Sequence, residues 1–239
     1  MPKFFVPERE INENRVIIKG EDENHIKNVL RFLVGDAITL CDGNGFDYEG
    51  IILGFSKGGV LVDIKSKNVS LSEPKTRVTL FQGMPKGEKT ESIIQKCVEL
   101  GVYEIVLVSM HRSVAKLKAD KEEAKLSRYM KLSYSAAKQS GRGIVPKVYA
   151  LSYEEALKYA RGLDLTFVAY ENEEKVSLKD VLKGFSGSSI GVFIGPEGGF
   201  EDFEIEMAEC FKTVSLGKRI LRTETAGPAV LAVINYELG

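Results

Sequence analysis

Apolar residues in the first seventy positions fall in short runs broken by glycine. Arg15–Lys19, Ala37–Leu40, Tyr48–Phe55 and Val60–Ile64 read as strands, with Gly43-Asn44-Gly45 and Lys57-Gly58-Gly59 between them. Short strands at this spacing predict a small barrel or sandwich. One helix interrupts them over about Asp22 to Phe32, where Ile26, Val29, Leu30 and Leu33 recur at three- and four-residue spacing. Its other face carries His25, Lys27, Asn28 and Arg31. A Ser/Pro stretch, Ser70 to Lys75, predicts a linker.

Beyond it the pattern alternates. Strands are predicted at 78–81, 104–108, 163–170, 190–194 and 214–216. Helices are predicted at 88–100, 120–139 and 201–211, with a last one at the C-terminus. Leu163–Tyr170 and Ile190–Ile194 are apolar almost throughout, as strands of a parallel sheet buried on both faces are. Alternating strand and helix imply a layered α/β domain.

Composition narrows the chemistry. The chain has 239 residues, 33 Lys+Arg against 34 Asp+Glu, three cysteines and two histidines. Cys41, Cys97 and Cys210 form no CxxC pair, so neither a disulfide framework nor a cysteine zinc site is expected. With only His25 and His111, no histidine metal site is expected either. No apolar run approaches the roughly 18 residues of a transmembrane helix, and the N-terminus lacks the apolar core of a signal peptide. The expectation is a reduced, cytoplasmic, metal-free protein whose chemistry uses carboxylates, arginines, hydroxyls and backbone groups.

Two stretches stand out. Ile190–Ile194 runs into Gly195-Pro196-Glu197-Gly198-Gly199-Phe200, and a helix follows. Ligands of open α/β sheets bind beyond the carboxyl ends of strands, and glycines there admit a close approach of backbone. The loop is neither GxGxxG nor a P-loop, and Glu197, Glu201, Asp202, Glu204 and Glu206 suit a positive or zwitterionic ligand better than phosphate. A plain Gly-Pro turn with acids at a helix start fits the same residues. The second stretch is Ser215 to Ala226, in which Leu216-Gly217-Lys218-Arg219-Ile220-Leu221-Arg222-Thr223-Glu224 precedes an apolar helix. Its backbone groups suit a flat heterocycle, with Leu216, Ile220 and Leu221 packing on the faces. A loop with three solvated bases is the alternative.

Gly195-Pro196-Glu197-Gly198-Gly199, followed some twenty residues later by Leu216-Gly217-x-x-Ile220-Leu221-Arg222-Thr223-Glu224-Thr225-Ala226, resembles the SPOUT methyltransferases, and more closely the ribosomal RNA small-subunit methyltransferase E family. His25-Ile26-x-x-Val29-Leu30-Arg31, Gln95-Lys96-x-Val98-Glu99-Leu100-Gly101-Val102, Arg112-Ser113 and Gln139-Ser140-Gly141-Arg142 agree, so the likeness spans nearly the whole chain. It implies methylation of uridine N3 in 16S ribosomal RNA, within the small ribosomal subunit, using S-adenosylmethionine. It implies a PUA-like β-barrel RNA-binding domain at residues 1–70. A trefoil-knotted SPOUT α/β domain with a mostly parallel sheet follows at 71–239, in a homodimer without metal or membrane. Under the resemblance Tyr170, Gly195, Pro196, Glu197, Gly198, Gly199, Leu216, Gly217, Ile220 and Leu221 line the cofactor site. Lys3 stands where the family often has arginine, and Gly227-Pro228 stands where small helix formers are expected, so the last helix is expected to start late or to bend.

Removing the N3 proton spreads negative charge over N3, O2 and O4, which an arginine can stabilise. Arg222 is the first candidate, Arg142 the second, and Glu224 is the nearest carboxylate for a base. Residues 112–147 hold ten Lys/Arg and three acids, a local excess of +7 in a chain of net charge -1. That segregation predicts RNA contact, assigned to Lys27, Arg31, Arg112, Lys138 and Arg142. Methylation of another RNA position, such as a ribose 2′-oxygen, and a noncatalytic RNA-binding assembly factor are the rival readings.

Overall fold

The computed structural model describes residues 3–11, 14–87, 89–113 and 119–239, without the side chains of residues 119–121. The chain divides into two compact units, residues 1–73 with 137–145, and residues 74–136 with 146–239. The first break lies between Glu73 and Pro74, and a segment from the middle of the chain returns to the first unit.

The first unit contains β1 (Lys3–Phe5), β2 (Arg15–Ile18), α1 (Glu21–Asn24), β3 (Ala37–Cys41), β4 (Phe46–Ser56) and β5 (Gly59–Val69). They form one five-stranded sheet in the order β1-β3-β4-β5-β2, in which β1 pairs parallel to β3 and the other pairs are antiparallel. Strand alternation puts Val16, Ile18, Ile38, Leu40, Ile52, Val60 and Val62 into a core closed by Phe4 and Ile26. The expected eleven-residue helix is not regular. α1 is a single turn, and His25–Val29 continues it with a wider turn whose Leu30 amide bonds the His25 carbonyl at 2.9 Å. Adding a residue per turn rotates the three- and four-residue spacing off one face. Only Ile26 of the expected stripe is buried, while Val29 and Leu33 are exposed. Arg31, at φ 56, ends the turn.

Ser70–Lys75 is no free linker. Ser70 is buried and bonds Lys3, whose ammonium also pairs with Asp47 at 2.7 Å. Glu73 accepts from the backbone amides of Gly143 at 2.7 Å and Ile144 at 3.2 Å.

The second unit contains β6 (Arg77–Gly83), α2 (Lys89–Glu99), β7 (Glu104–Ser109), α3 (Ala119–Gln139), β8 (Lys147–Ser152), α4 (Tyr153–Ala160), β9 (Leu165–Ala169), α5 (Leu178–Leu182), β10 (Ser189–Ile194), α6 (Asp202–Met207), β11 (Lys212–Val214) and α7 (Thr223–Leu238). The last residues of α3 belong to the first unit. All six strands are parallel, in the order β11-β9-β10-β6-β7-β8. The chain moves outward from β6 through β7 to β8, then crosses to β9 and comes back to set β10 beside β6. That reversal is a topological switch point, where open α/β sheets bind ligands beyond their carboxyl ends. Phe81 of β6 and Phe193 of β10 stack across it at 4.4 Å.

Boundaries shift from the sequence expectation: β9 is shorter at both ends, β11 lies at Lys212–Val214, and α6 ends at Met207. α7 begins at Thr223 and carries Pro228 inside it, so it does not start late. Proline removes the one amide that would bond the Glu224 carbonyl. Burial of Ala226, Gly227, Val230, Leu231 and Ile234 outweighs that loss. Gly227 lets α7 press down, since a Cβ there would lie 3.3 Å from Leu80 and 3.5 Å from Cys97. No helix among the described residues is long and apolar enough to cross a membrane.

Candidate active site

A cleft of about 1080 Å³ opens above the carboxyl ends of β9, β10 and β11, flanked by the starts of α2 and α7. Its volume is that of a site for a molecule of cofactor size. Tyr170 follows β9, Gly195 to Gly199 follow β10, and Leu216, Gly217, Ile220 and Leu221 follow β11. All of them line the cleft, together with Arg222 and Glu224. Two stretches separated by twenty residues of sequence thus meet in one place.

The glycine loop is held from beneath and from both sides. Thr223, buried at the first turn of α7, donates its hydroxyl to the Gly195 carbonyl at 2.7 Å and accepts from the buried Gln82 amide at 2.8 Å. This joins β6, β10 and α7 under the cleft. On one side Lys86 N–H and the Lys89 ammonium reach Glu197, both at 3.0 Å. Burial pushes the Glu197 pKa up, but these donors together with backbone hydrogen bonding outweigh it and leave it lowered. On the other side Arg112 donates to the Gly198 carbonyl at 2.8 Å and grips both oxygens of Glu201, at 2.8 Å and 2.9 Å. A Cβ on Gly198 would meet the Arg112 side chain at 3.1 Å, so this glycine makes room for the clamp.

The Arg112 hydrogen bond is the main reason that the Glu201 pKa lies below its ordinary 4.5. A depressed carboxylate stabilises the fold above its unfolded pKa and loses that contribution as pH falls through the folded value. Amide-exchange protection of the 198–204 segment should therefore drop as pH falls below about 4.5. Glu201→Gln should lack this acid-dependent part. An identical pH response in both proteins would exclude the clamp as its source.

The stretch after β11 has a different character. Gly217 takes φ +110, and no atom lies within 4 Å of where its Cβ would stand. Among the described residues, the backbone amides of Leu216 and of Lys218 to Arg222 donate to no protein acceptor. A run of unpaired amides beside an apolar wall fits the edge of a heterocycle, because such groups need partners once water is excluded. Arg222 is the N-cap of α7 and is exposed, and its side chain makes no hydrogen bond or ion pair among the described residues. Glu224 pairs not with Arg222 but with Lys89, at 3.5 Å. Lys89 and Thr223 are site residues that sequence reading did not find.

The bases expected at RNA divide. Lys27 pairs with Glu23 at 2.5 Å and lies over Phe55, and Lys138 pairs with Asp22. Arg31 is exposed. Arg112 serves the loop as described. Arg142 is 3% exposed and its guanidinium pairs with Glu73, so it offers little surface to RNA in the single chain. Of the basic segment, Lys116, Lys118 and the Lys121 side chain lie outside the described residues. Arg128 pairs with Glu91 at 2.7 Å, while Lys125, Lys131 and Lys147 are exposed without an ion pair among the described residues.

A family model for an RNA methyltransferase domain matches residues 72–235, and one for an RNA methyltransferase PUA domain matches residues 18–65. The ribosomal RNA small subunit methyltransferase E of Bacillus subtilis is 35% identical over 99% of this chain and 97% of its own length. The chain belongs to the ribosomal RNA small subunit methyltransferase E family. The member from Mesomycoplasma hyopneumoniae is 33% identical over 95% of both chains. A methyltransferase E from Neisseria gonorrhoeae, solved bound to S-adenosylmethionine, superposes with a TM-score of 0.82 at 31% identity, over 99% of this chain and 97% of that one. The second unit accordingly has the SPOUT-type α/β fold, and the first is PUA-like. The chain is an S-adenosylmethionine-dependent RNA methyltransferase of that family. The cleft fits such a cofactor on three observations of this structure: its volume, the open space at Gly217 and the run of unpaired amides.

Proposed function

We propose that this protein methylates N3 of a uridine in 16S ribosomal RNA, acting in the cytoplasm as a homodimer on the small ribosomal subunit. The observation that carries the reading is Arg222, an exposed and unpaired guanidinium at the positive end of α7, on the rim of a cleft suited to the methyl donor.

S-adenosylmethionine, when bound, supplies an electrophilic methyl group on a sulfonium. Gly195, Pro196, Glu197, Gly198 and Gly199 form one wall of its site, and Leu216, Gly217, Ile220 and Leu221 another, with Tyr170 beside them. The amides of Leu216 and of Lys218 to Arg222 are the donors available to the heterocycle. Arg222 faces the uracil oxygens and favours the charge that builds on them as the N3 proton leaves. Glu224 accepts that proton. N3 lies on the pairing edge, so the uridine must be unpaired or flipped out to be reached. Arg31, Lys125, Lys131 and Lys147 offer exposed positive charge for phosphate, and Lys27 and Lys138 add to it when RNA competes for their carboxylates.

Nucleoside analysis of 16S ribosomal RNA from cells lacking the protein tests the reading. Loss of 3-methyluridine, restored by the gene, is expected. An unchanged level sinks it; loss of a 2′-O-methylated nucleoside would identify the ribose reading instead, and loss of no modification a noncatalytic assembly role.

A further inference from the structure

Lys89 is the first residue of α2 and lies on the wall of the cleft. Its ammonium stands 3.0 Å from Glu197 Oε1 on the glycine loop and 3.5 Å from Glu224 Oε2 at the start of α7. That Glu224 oxygen is buried and has no hydrogen-bond partner. Among the described residues, Lys89 is the cation within ion-pair range of Glu224. One ammonium therefore bridges two carboxylates that come from separate segments lining the cleft.

We infer that Lys89 is a positioning residue for the methyl-transfer reaction: it holds the Glu224 carboxylate at the cleft wall and so keeps Arg222 free for the substrate. The inference rests on the proposed roles of Glu224 and Arg222. Those two residues are neighbours at one helix start, with long side chains of opposite charge. A carboxylate that is partly desolvated needs a counter-charge. Without Lys89, the nearest such group in sequence is the Arg222 guanidinium. Pairing there would neutralise the charge offered to the uracil oxygens and withdraw the proton acceptor in one movement. The Glu197 hydrogen bond raises the Lys89 pKa, with Glu224 adding to the rise, so the ammonium keeps its charge throughout the neutral range. Lys89 does not need to touch cofactor or RNA for this role.

The test is Lys89→Met against Lys89→Arg in the full-length protein, with single-turnover methylation of small-subunit RNA and a separate titration of S-adenosylmethionine. Lys89 is about one third exposed, with a side-chain accessibility of 35%, so both variants should fold. Lys89→Met should lower turnover at saturating cofactor about tenfold or more, with cofactor Kd changed by less than about threefold. Lys89→Arg, which keeps a cation in reach of both carboxylates, should restore turnover to within about threefold. Normal turnover in Lys89→Met overturns the inference. So does a loss confined to cofactor affinity, since that would place the effect in the Glu197 loop alone, and so does failure of the arginine variant to rescue. Glu224→Gln is measured alongside. If it keeps wild-type turnover, the proton-acceptor reading fails on its own account. If it is impaired while Lys89→Met is normal, that reading stands and the inference about Lys89 falls.

Discussion

Arg222→Ala should lower the single-turnover rate of RNA methylation by about 10²–10³-fold while changing the Kd for S-adenosylmethionine by less than about threefold. The asymmetry follows from where charge appears. In the ground state the uridine is neutral and asks little of a cation. As the N3 proton leaves, negative charge spreads over O2 and O4, and a guanidinium placed to meet it would gain interaction energy only at that stage. Arg222 is suited to this because nothing among the described residues holds it back and because it caps the positive end of α7. Arg222→Lys keeps the charge but loses the planar fork, so an intermediate rate is expected. Isothermal titration for the cofactor and rapid-quench methylation for the rate separate the two quantities. Equal losses in both would assign Arg222 to holding the cofactor.

The parts of this site that could be read in the sequence are those built from neighbours. An apolar strand running into Gly-Pro-Glu-Gly-Gly has a local signature, and so has an irregular basic stretch before an apolar helix. What the sequence does not display is what each charge faces. Gln82 meets Thr223 across 141 positions and Lys86 meets Glu197 across 111, distances over which no periodicity carries information. That Arg112, an exposed base, also clamps Gly198 and Glu201 is not visible in the sequence, because those partners lie in another element.

The fold shows the same division. β6, β7, β9 and β10 were legible because strands of a parallel sheet are apolar throughout. β1 is three residues long and exists through its pairing with β3. α4 did have a local signal that went unused: Ser152 and Glu155 form a capping box, with each side chain bonding the other's amide. The turn at His25–Val29 was misread because an apolar spacing cannot reveal an inserted residue.

Glu73→Ala should destabilise the first unit by about 3–5 kcal/mol, as removing one partner of a buried ion pair does. Arg142 and Glu73 are almost wholly enclosed, with side-chain exposures of 4% and 13%. Glu73 also accepts from the amides of Gly143 and Ile144, so alanine would take the carboxylate from two backbone donors as well as from the guanidinium. The pair fastens residues 137–145 to the unit in which residues 1–73 lie, and the Cys41 thiol, 3.2 Å from the Gly143 carbonyl, is packed into the same place. Replacing both partners at once by apolar residues of similar size, Glu73→Met with Arg142→Leu, should cost much less than Glu73→Ala, since the buried charge is then removed together with its carboxylate. Urea denaturation followed by amide exchange within β3, β4 and β5 measures the loss where it is expected, while exchange within β9 and β10 should be little changed. A Glu73→Ala effect below about 0.5 kcal/mol would mean that the segment is held by its backbone bonds, and that Arg142 is buried without being needed there.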